Sequence, residues 1–456
     1  MSKKRFFDNK LARCYCTIEK KVLTLQREFE NYCIMKRLIY ILPVMLALII
    51  SSCNKPHPAK RLTLSEKEKA INMRQNEFAI RLLQKACESG EENVFISPFC
   101  VSAVCSLWAN EADSSALAQV MSALGVQDFT LEDMNAYYKH MISKLPYIDT
   151  RSDVVLANAL WIDDDAHIDA QFSKVAEEYY NTETNVIDLN NPKSAKKINK
   201  WASKKTHGLI SQIVTPGQID EGARTILTSA LYFNGIWKFP FYSSSTTEET
   251  FTLSDGTTTT VSMMNKEEEE VAVTPTYEYD FIDDSLYLVA DTAHPRYFDA
   301  RMLSLPFKGA IDKFEDGYML DIVLPREGLS CEEYLQSMTI EDLQNLNNYI
   351  ECEEVAVGVP KFTIENRHEF NNDLKALGMP DGLLSFSDLQ QSTYFDINET
   401  GAKAAAVTKI YYFSAGYIEY VYTPFIVDRP FLLFIRECKY GTILFAGKIG
   451  NPTFTK

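Results

Sequence analysis

Five apolar runs crowd the C-terminal half of this chain with no linker or repeat between them, so they must share one core. They are TILTSALYFNGIWKFPF (225–241), MLDIVLP (319–325), EVAVGVPKFTI (354–364), RPFLLFIRE (429–437) and GTILFAGKI (441–449). All are rich in β-branched and aromatic residues and read as strands. The preceding segment reads differently. From Leu64 to Cys87 the apolar residues Ile71, Phe78, Ile80, Leu82 and Leu83 keep helical spacing. NVFISPFCVSAVCSLWANEA (93–112) starts a helix after Ser97-Pro98, with proline in its favoured first-turn position. DLNNPKSAKKINKWASKKTHGLISQIV (188–214) is amphipathic, with Ile198 and Trp201 on one side and Lys193, Lys196, Lys197, Lys200, Lys204 and Lys205 elsewhere. That basic cluster is either a solvated face, the plainer reading, or a site for an anionic polymer. Helices first and strands later point to an α+β fold over residues 65–456, not to alternating βα units.

One stretch breaks the pattern. NETGAKAAAVT (398–408) places a glycine and a run of small residues between STYFDI and KIYYFSAGYIEYVYTPF, both β-like. Alanine is a poor strand former, and the run is too short to be a stable free helix.

Charge divides the chain. Formal net charge is −16, but the first 53 residues hold 10 Lys/Arg and 4 Asp/Glu, leaving 36 basic against 58 acidic residues, a net of −22. Such a surface repels phosphate backbones, which argues against a nucleic-acid partner. Within that start, MKRLIYILPVMLALIISSCNK has two basic residues after Met35, then 13 uncharged, mostly apolar residues from Leu38 to Ile50. That length suits a signal-peptide core and not a membrane span. The end, Ile50-Ser51-Ser52-Cys53, resembles the bacterial lipobox, in which the cysteine is diacylated. The alternative is an ordinary secretory signal with a chance cysteine. Residues 1–34 are then expected to precede the true start, 35–52 to be the signal peptide and 53–64 a tether. The expected product is an exported bacterial lipoprotein, membrane-anchored in the periplasm or at the cell surface.

Catalytic chemistry is hard to find. Cys87, Cys100, Cys105, Cys331, Cys352 and Cys438 are scattered without pairing spacings or a CxxC motif. Cys100 and Cys105 lie in an apolar run, where a free cysteine behaves as a small hydrophobe. HEFNN (368–372) begins like a zincin but lacks the second histidine, and there is no GxSxG elbow, P-loop or GxGxxG. No catalytic residue, metal or cofactor is expected.

The same segments carry a family resemblance. NVFISPFCVSAVCSLWA, INKWASKKTHGLISQIV, LYFNGIWKFPF with TTEETFTLSDGT, LPFKG with LDIVLPRE, VGVPKFTIENRHEFNNDLKALGM, INETGAKAAAVT and DRPFLLFIRECKYGTILFAGKIGNP resemble the serpins. They occur in family order and span nearly all of residues 65–456. The resemblance implies a large central β-sheet with two further sheets, a surrounding set of helices and an exposed reactive-centre loop at about 399–424. It implies a monomeric suicide inhibitor of serine, and also cysteine, endopeptidases, which forms a covalent acyl-enzyme complex and is not an enzyme. The alternative within the family is a non-inhibitory carrier or interaction lipoprotein.

That resemblance explains the small residues. As a strand, the hinge Glu399, Gly401, Ala402, Lys403, Ala404, Ala405, Ala406, Val407, Thr408 shows Ala402, Ala404, Ala406 and Thr408 on one face, with Lys403, Ala405, Val407 and Lys409 on the other. A uniformly small face fits a loop that slides into a packed sheet. Gly401 allows the turn on entry. The spacing usual in inhibitory relatives puts the cut at Ala415-Gly416, which suits elastase-like enzymes, with Phe413, Tyr417 or Glu419 as alternatives. Trp237 matches the aromatic at the point where insertion begins. The family closes its sheet with two serines, an asparagine and a histidine; here the matching positions hold Ser97, Cys100, Ser229 and Gln391. Since Gln391 cannot titrate, opening is expected to depend little on pH between about 5 and 8. The segment 271–300 is longer than the family's connection.

Overall fold

The computed structural model describes residues 60–149, 151–166, 169–215, 217, 219, 224–273, 279–282, 285–288, 299–309, 317–348, 351–381, 389–401 and 424–453. Ser65 starts the first helix, α1 (Glu66–Cys87), through a reciprocal cap. Its hydroxyl accepts from Glu68 N, and the Glu68 carboxylate accepts from Ser65 N at 2.8 Å. β1 (Asn93–Ile96) leads to α2 (Pro98–Trp108), capped by Ser97 and opened by the proline as its sequence predicts. α3 (Ser114–Ala123) and α4 (Leu131–Lys144) start at Asp113 and Thr130 caps. Next come β2 (Asp153–Asp163), α5 (Ala170–Tyr180), β3 (Thr182–Ile187), α6 (Ser194–Lys205) and β4 (Thr225–Asn234).

Strands then dominate. β5 (Thr246–Thr252), β6 (Thr258–Val273), β7 (Tyr279–Ile282), β8 (Ser285–Leu288), β9 (Ala300–Pro306) and β10 (Tyr318–Pro325) precede two short helices, α7 (Cys331–Ser337) and α8 (Ile340–Asn348). β11 (Glu351–Pro360) and β12 (Phe362–Glu369) come before α9 (Asn371–Ala376). The chain ends with β13 (Gln390–Ile397), β14 (Phe425–Ile426), β15 (Phe431–Glu437) and β16 (Ile443–Ile449). Part of the long 271–300 connection is a two-stranded ribbon, β7 on β8, with Tyr279 opposite Leu288.

The run at 354–364 is not one strand. Lys361 N donates to Ser262 O (2.8 Å), the last bond to β6, after which the chain leaves that sheet and β12 pairs with β13. Sheet order is β1-β16-β15-β10-β9-β6-β11-β14, with β5 on β6; separate ladders hold β3-β2-β4 and β12-β13. The expected outer sheets are thus joined through β6, whose far end pairs Ala272 with Ser304 and Val273 with Leu303 of β9. The large central sheet is present as the two separate ladders.

Alternation along β2 explains the layering. Val154, Leu156, Leu160 and Ile162 enter the main core beneath α1, α2 and α4, while Ala157, Ala159 and Trp161 pack on α6 through Ile198, Trp201 and Ala202. The Trp161 and Trp201 rings meet edge to face at 6.0 Å. Burying Ile198 alone contributes about 1.5–3 kcal/mol. This second, smaller core fixes α6 on the outer face of the β2–β4 sheet.

A buried ion pair crosses the larger sheet. Asp321 on β10, fully buried, binds the Arg436 guanidinium on β15 and accepts from Ser304 Oγ of β9 at 2.5 Å. Asp321→Ala removes the carboxylate partner of a buried guanidinium and should cost about 3–5 kcal/mol, whereas Asp321→Leu with Arg436→Met should be neutral or stabilising. Urea midpoints of the three proteins at constant m-value check this.

Candidate functional site

β4 and β13 lie side by side, yet no ladder joins them. Facing backbone edges without a ladder are unusual inside a protein, because buried N–H and C=O groups need partners. The two half-sheets are tied at their ends instead.

At the first tie, the segment after β4 grips the turn after β13. Trp237 N donates to Thr400 O (3.0 Å), Phe241 N to Glu399 O (2.7 Å) and Trp237 Nε1 to Asn398 O (2.9 Å). The Trp237 ring, only 2% exposed, stacks on Phe307 with centroids 4.6 Å apart. It is a core residue and a latch at once. The turn holds its own shape: Asn398 Oδ1 accepts from Thr400 N (3.1 Å) and Thr400 Oγ1 (2.9 Å). Gly401 sits at φ +140°, and a Cβ there would lie 2.2 Å from Gly235 O and 2.7 Å from Ile236 Cα. Glycine is therefore required both by the backbone angle and by the close approach.

Glu399 anchors the turn to a third element. Its carboxylate pairs with Lys361 Nζ (3.1 Å) and accepts from Thr246 Oγ1 (3.0 Å). Burial alone raises the Glu399 carboxyl, but its own backbone N–H, Lys361 and Thr246 outweigh this, and the net shift is downward.

The second tie gathers the four residues matched to the family's polar cluster. Ser97 N donates to Gln391 Oε1 (2.6 Å), Gln391 Nε2 donates back to Ser97 O (3.3 Å), and Ser97 Oγ donates to Leu444 O (2.7 Å). Cys100 N donates to Ser97 Oγ at 3.4 Å. Burial pushes the Cys100 thiol pKa up, against the hydroxyls of Ser229 and Ser97 beside it. Ser229 Oγ is buried with no oxygen or nitrogen partner among the described residues, so the thiol is its polar neighbour. Thr393 Oγ1 adds a bond from β13 to Phe95 O of β1 (2.6 Å).

Two features escape a motif search. His368 on β12 lies directly opposite Gln391, buried, with Nε2 2.5 Å from Asp373 Oδ2 and its ring on Phe370. A histidine thus lies one strand away from the matched position, its ring held by Asp373 and Phe370. Period-two alternation from Phe362 and Ile364 would have placed it inward. The other feature is a strap. Asn199 Oδ1 accepts from Ile213 N (2.8 Å) and Val214 N (2.9 Å), and Ser392 Oγ donates to Gln212 O (3.2 Å). The segment after α6 thus reaches over to β13.

Ala402 to Thr408, Ala415 and Gly416, and Cys53 lie outside the described residues. Cys87, Cys100, Cys105 and Cys331 are free and buried. Asp163, Asp164 and Asp188 bring carboxylate oxygens within 4.8 Å of one another. Asp163 spends both oxygens on the turn, accepting from Asp165 N (3.2 Å) and Leu189 N (2.9 Å).

The family described as "Serpin (serine protease inhibitor)" matches residues 73–452. The chain belongs to the serpin family. Iripin-5 of Ixodes ricinus is 27% identical over 406 residues, covering 84% of this chain and 95% of that protein. Among solved structures, the thermophilic serpin Tengpin in its native state aligns with TM-score 0.71 at 24% identity, covering 87% of this chain and 97% of Tengpin. Thyroxine-binding globulin complexed with thyroxine aligns with TM-score 0.70 at 22% identity, covering 84% of this chain and all of that one. These two likenesses show the serpin fold. Serpins are generally protease inhibitors and not enzymes, although some are non-inhibitory.

The Glu399 anchor makes a pH prediction. Its folded pKa is depressed, so its contribution is complete above the unfolded value of about 4.5 and is lost as pH falls through the lower folded value. The protection this carboxyl gives the Trp237 and Phe241 amides should therefore be constant between pH 5 and 8 and should fall in stronger acid. Glu399→Gln should remove the acid step and make both amides exchange faster at neutral pH.

Proposed function

We propose that this serpin is a suicide inhibitor of serine endopeptidases, and also of cysteine endopeptidases, with elastase-like or broad specificity. The reading rests on one juxtaposition: unpaired edges of β4 and β13 end at Gly401, where a segment with one uniformly small face begins. The protease nucleophile attacks the Ala415 carbonyl carbon, the Ala415–Gly416 C–N bond breaks, and Gly416 leaves as a protonatable amine. The acyl-enzyme ester or thioester stays on Ala415. Glu399 and Trp237 release the turn, and Ala402 to Thr408 enter between β4 and β13. Strand addition to a sheet is a general mode of recognition, and loop insertion occurs in inhibitory serpins, which supports this step. Ten or more new backbone hydrogen bonds at ~1 kcal/mol each, with apolar burial, release on the order of 10–20 kcal/mol. The uncleaved state is then held kinetically.

The carrier reading differs at the hinge. A carrier has no need of small inward residues, whereas a charge carried into the sheet blocks insertion. Incubating the protein with an elastase-like enzyme should give a denaturant-stable covalent complex and release a fragment starting at Gly416. Ala404→Glu should abolish the complex and leave a cleaved substrate. Full inhibition by Ala404→Glu would exclude insertion and favour a carrier. Ala415→Arg should redirect inhibition to trypsin.

We further propose that Cys53 is diacylated and anchors the domain to a membrane, which the Met35–Cys53 pattern supports. Acyl chains bury about 0.8 kcal/mol per CH₂, ample for stable attachment when several are present. Cys53→Ala should move the protein from the detergent phase to the aqueous phase with inhibition intact. An unmodified Cys53 in the mature mass spectrum would overturn the anchor.

A further inference from the structure

Asn234, the last residue of β4, and Gly235 form the one Asn-Gly pair in the sequence. In such a pair the main-chain nitrogen of the glycine can attack the asparagine side chain, because no Cβ stands in the way. Inside a strand both groups are normally held by hydrogen bonds. Here neither is. Asn234 faces Asp153 in the terminal pair of the β2–β4 ladder, so Gly235 lies just past its end. Among the described residues the Gly235 N–H has no acceptor. Asn234 Oδ1 is buried without a partner, which is uncommon for a carbonyl oxygen. The Tyr232 hydroxyl lies beside that side chain and in the field of Asp153. Gly235 is meanwhile at the tightest point of the latch. A Cβ on it would lie 2.5 Å from Phe307 Cδ1, and a Cβ on Gly401 would lie 2.2 Å from Gly235 O. The next two residues hold the turn: Ile236 bridges to Gly401, and Trp237 N donates to Thr400 O (3.0 Å). A change in main-chain length at 234–235 therefore moves the grip itself.

We propose that Asn234 is a spontaneous modification site, which deamidates through a succinimide to isoaspartate and thereby loosens the grip on the Gly401 turn. Gly235 N forms a bond to Asn234 Cγ, the Cγ–Nδ2 bond breaks, and the side-chain nitrogen leaves as ammonia with the proton from Gly235. Water then opens the ring. Attack at the main-chain carbonyl gives isoaspartate, with an added methylene in the backbone, and attack at Cγ gives aspartate. No oxidant and no second protein is consumed. Ring closure needs the 234–235 peptide to rotate, and only the terminal ladder pair has to fray for that. Either product puts a carboxylate directly opposite Asp153, where like charges destabilise an antiparallel pair. Asp153 is already matched with His207, whose Nε2 lies 3.3 Å from its Oδ2. The chemistry stands on these atoms alone. Its bearing on inhibition rests on the insertion reading above: the conversion is a clock on the kinetically held state.

Incubating the full-length folded protein at neutral and at mildly alkaline pH tests this, with samples read by peptide mass spectrometry and by isoaspartyl methyltransferase labelling. Isoaspartate should appear at Asn234 before any other asparagine converts, and faster at the higher pH, because the attacking nitrogen must shed its proton. Asn234→Gln, whose longer side chain closes a larger and slower ring, should lose this early methyl-accepting site. In the converted fraction the Trp237 and Phe241 amides should exchange faster than in fresh protein, and Asn234→Asp should show part of that gain from the start. Inhibition of an elastase-like enzyme should fall in step with isoaspartate content. The labelling and exchange readouts use no protease, so their failure strikes this proposal alone. Fresh protein that forms no complex strikes the insertion reading and leaves the modification site standing. The proposal is overturned if Asn234 stays intact, if other asparagines convert first, or if the Gln variant keeps the early site. It is equally overturned if converted protein protects the two amides as fresh protein does, or inhibits as well.

Discussion

Two strand edges that face each other without bonding impose the central constraint on this serpin. β4 and β13 each present a row of peptide groups toward the other, and such edges accept a further strand wherever one is available. The β2–β4 half is braced by α6 and its small core, and the β12–β13 half by β1 and the main core. Both halves also bury residues in the one main core, Leu227 and Leu231 from β4 and Phe395 and Ile397 from β13, so the seam is bridged by packing and not by a ladder.

The seam is closed by bonds of two different kinds. At the Gly401 end, the backbone N–H groups of Trp237 and Phe241, the Trp237 indole N–H and the Lys361–Glu399 ion pair act on a single turn. At the Ser97 end, the bonds are buried side-chain contacts that engage α2, β13 and β16 together. A thiol and an unpaired serine hydroxyl occupy part of that closure, which makes it less fully hydrogen-bonded than an all-polar cluster would be.

The α6 strap adds a geometric condition. Asn199 fixes the chain that follows the helix, and Ser392 ties it to β13, so the strap spans the outer face of the seam. The buried Trp201 face keeps the helix in place while its lysine face remains in solvent.

Much of this was legible before any coordinates. Period-two and period-3.6 patterning and the Ser-Pro helix start are local properties, and local sterics and solvation determine them. The matched closure residues Ser97, Cys100, Ser229 and Gln391 were also named from order along the chain, although nothing in that order shows that they meet. Tertiary structure alone decided the rest. The division of one apolar run at Lys361, the Glu399–Lys361–Thr246 anchor, the steric need for Gly401 against Gly235, and His368 opposite Gln391 all join residues far apart in sequence. Such contacts depend on register and close approach between strands, and a one-dimensional pattern carries no information about either.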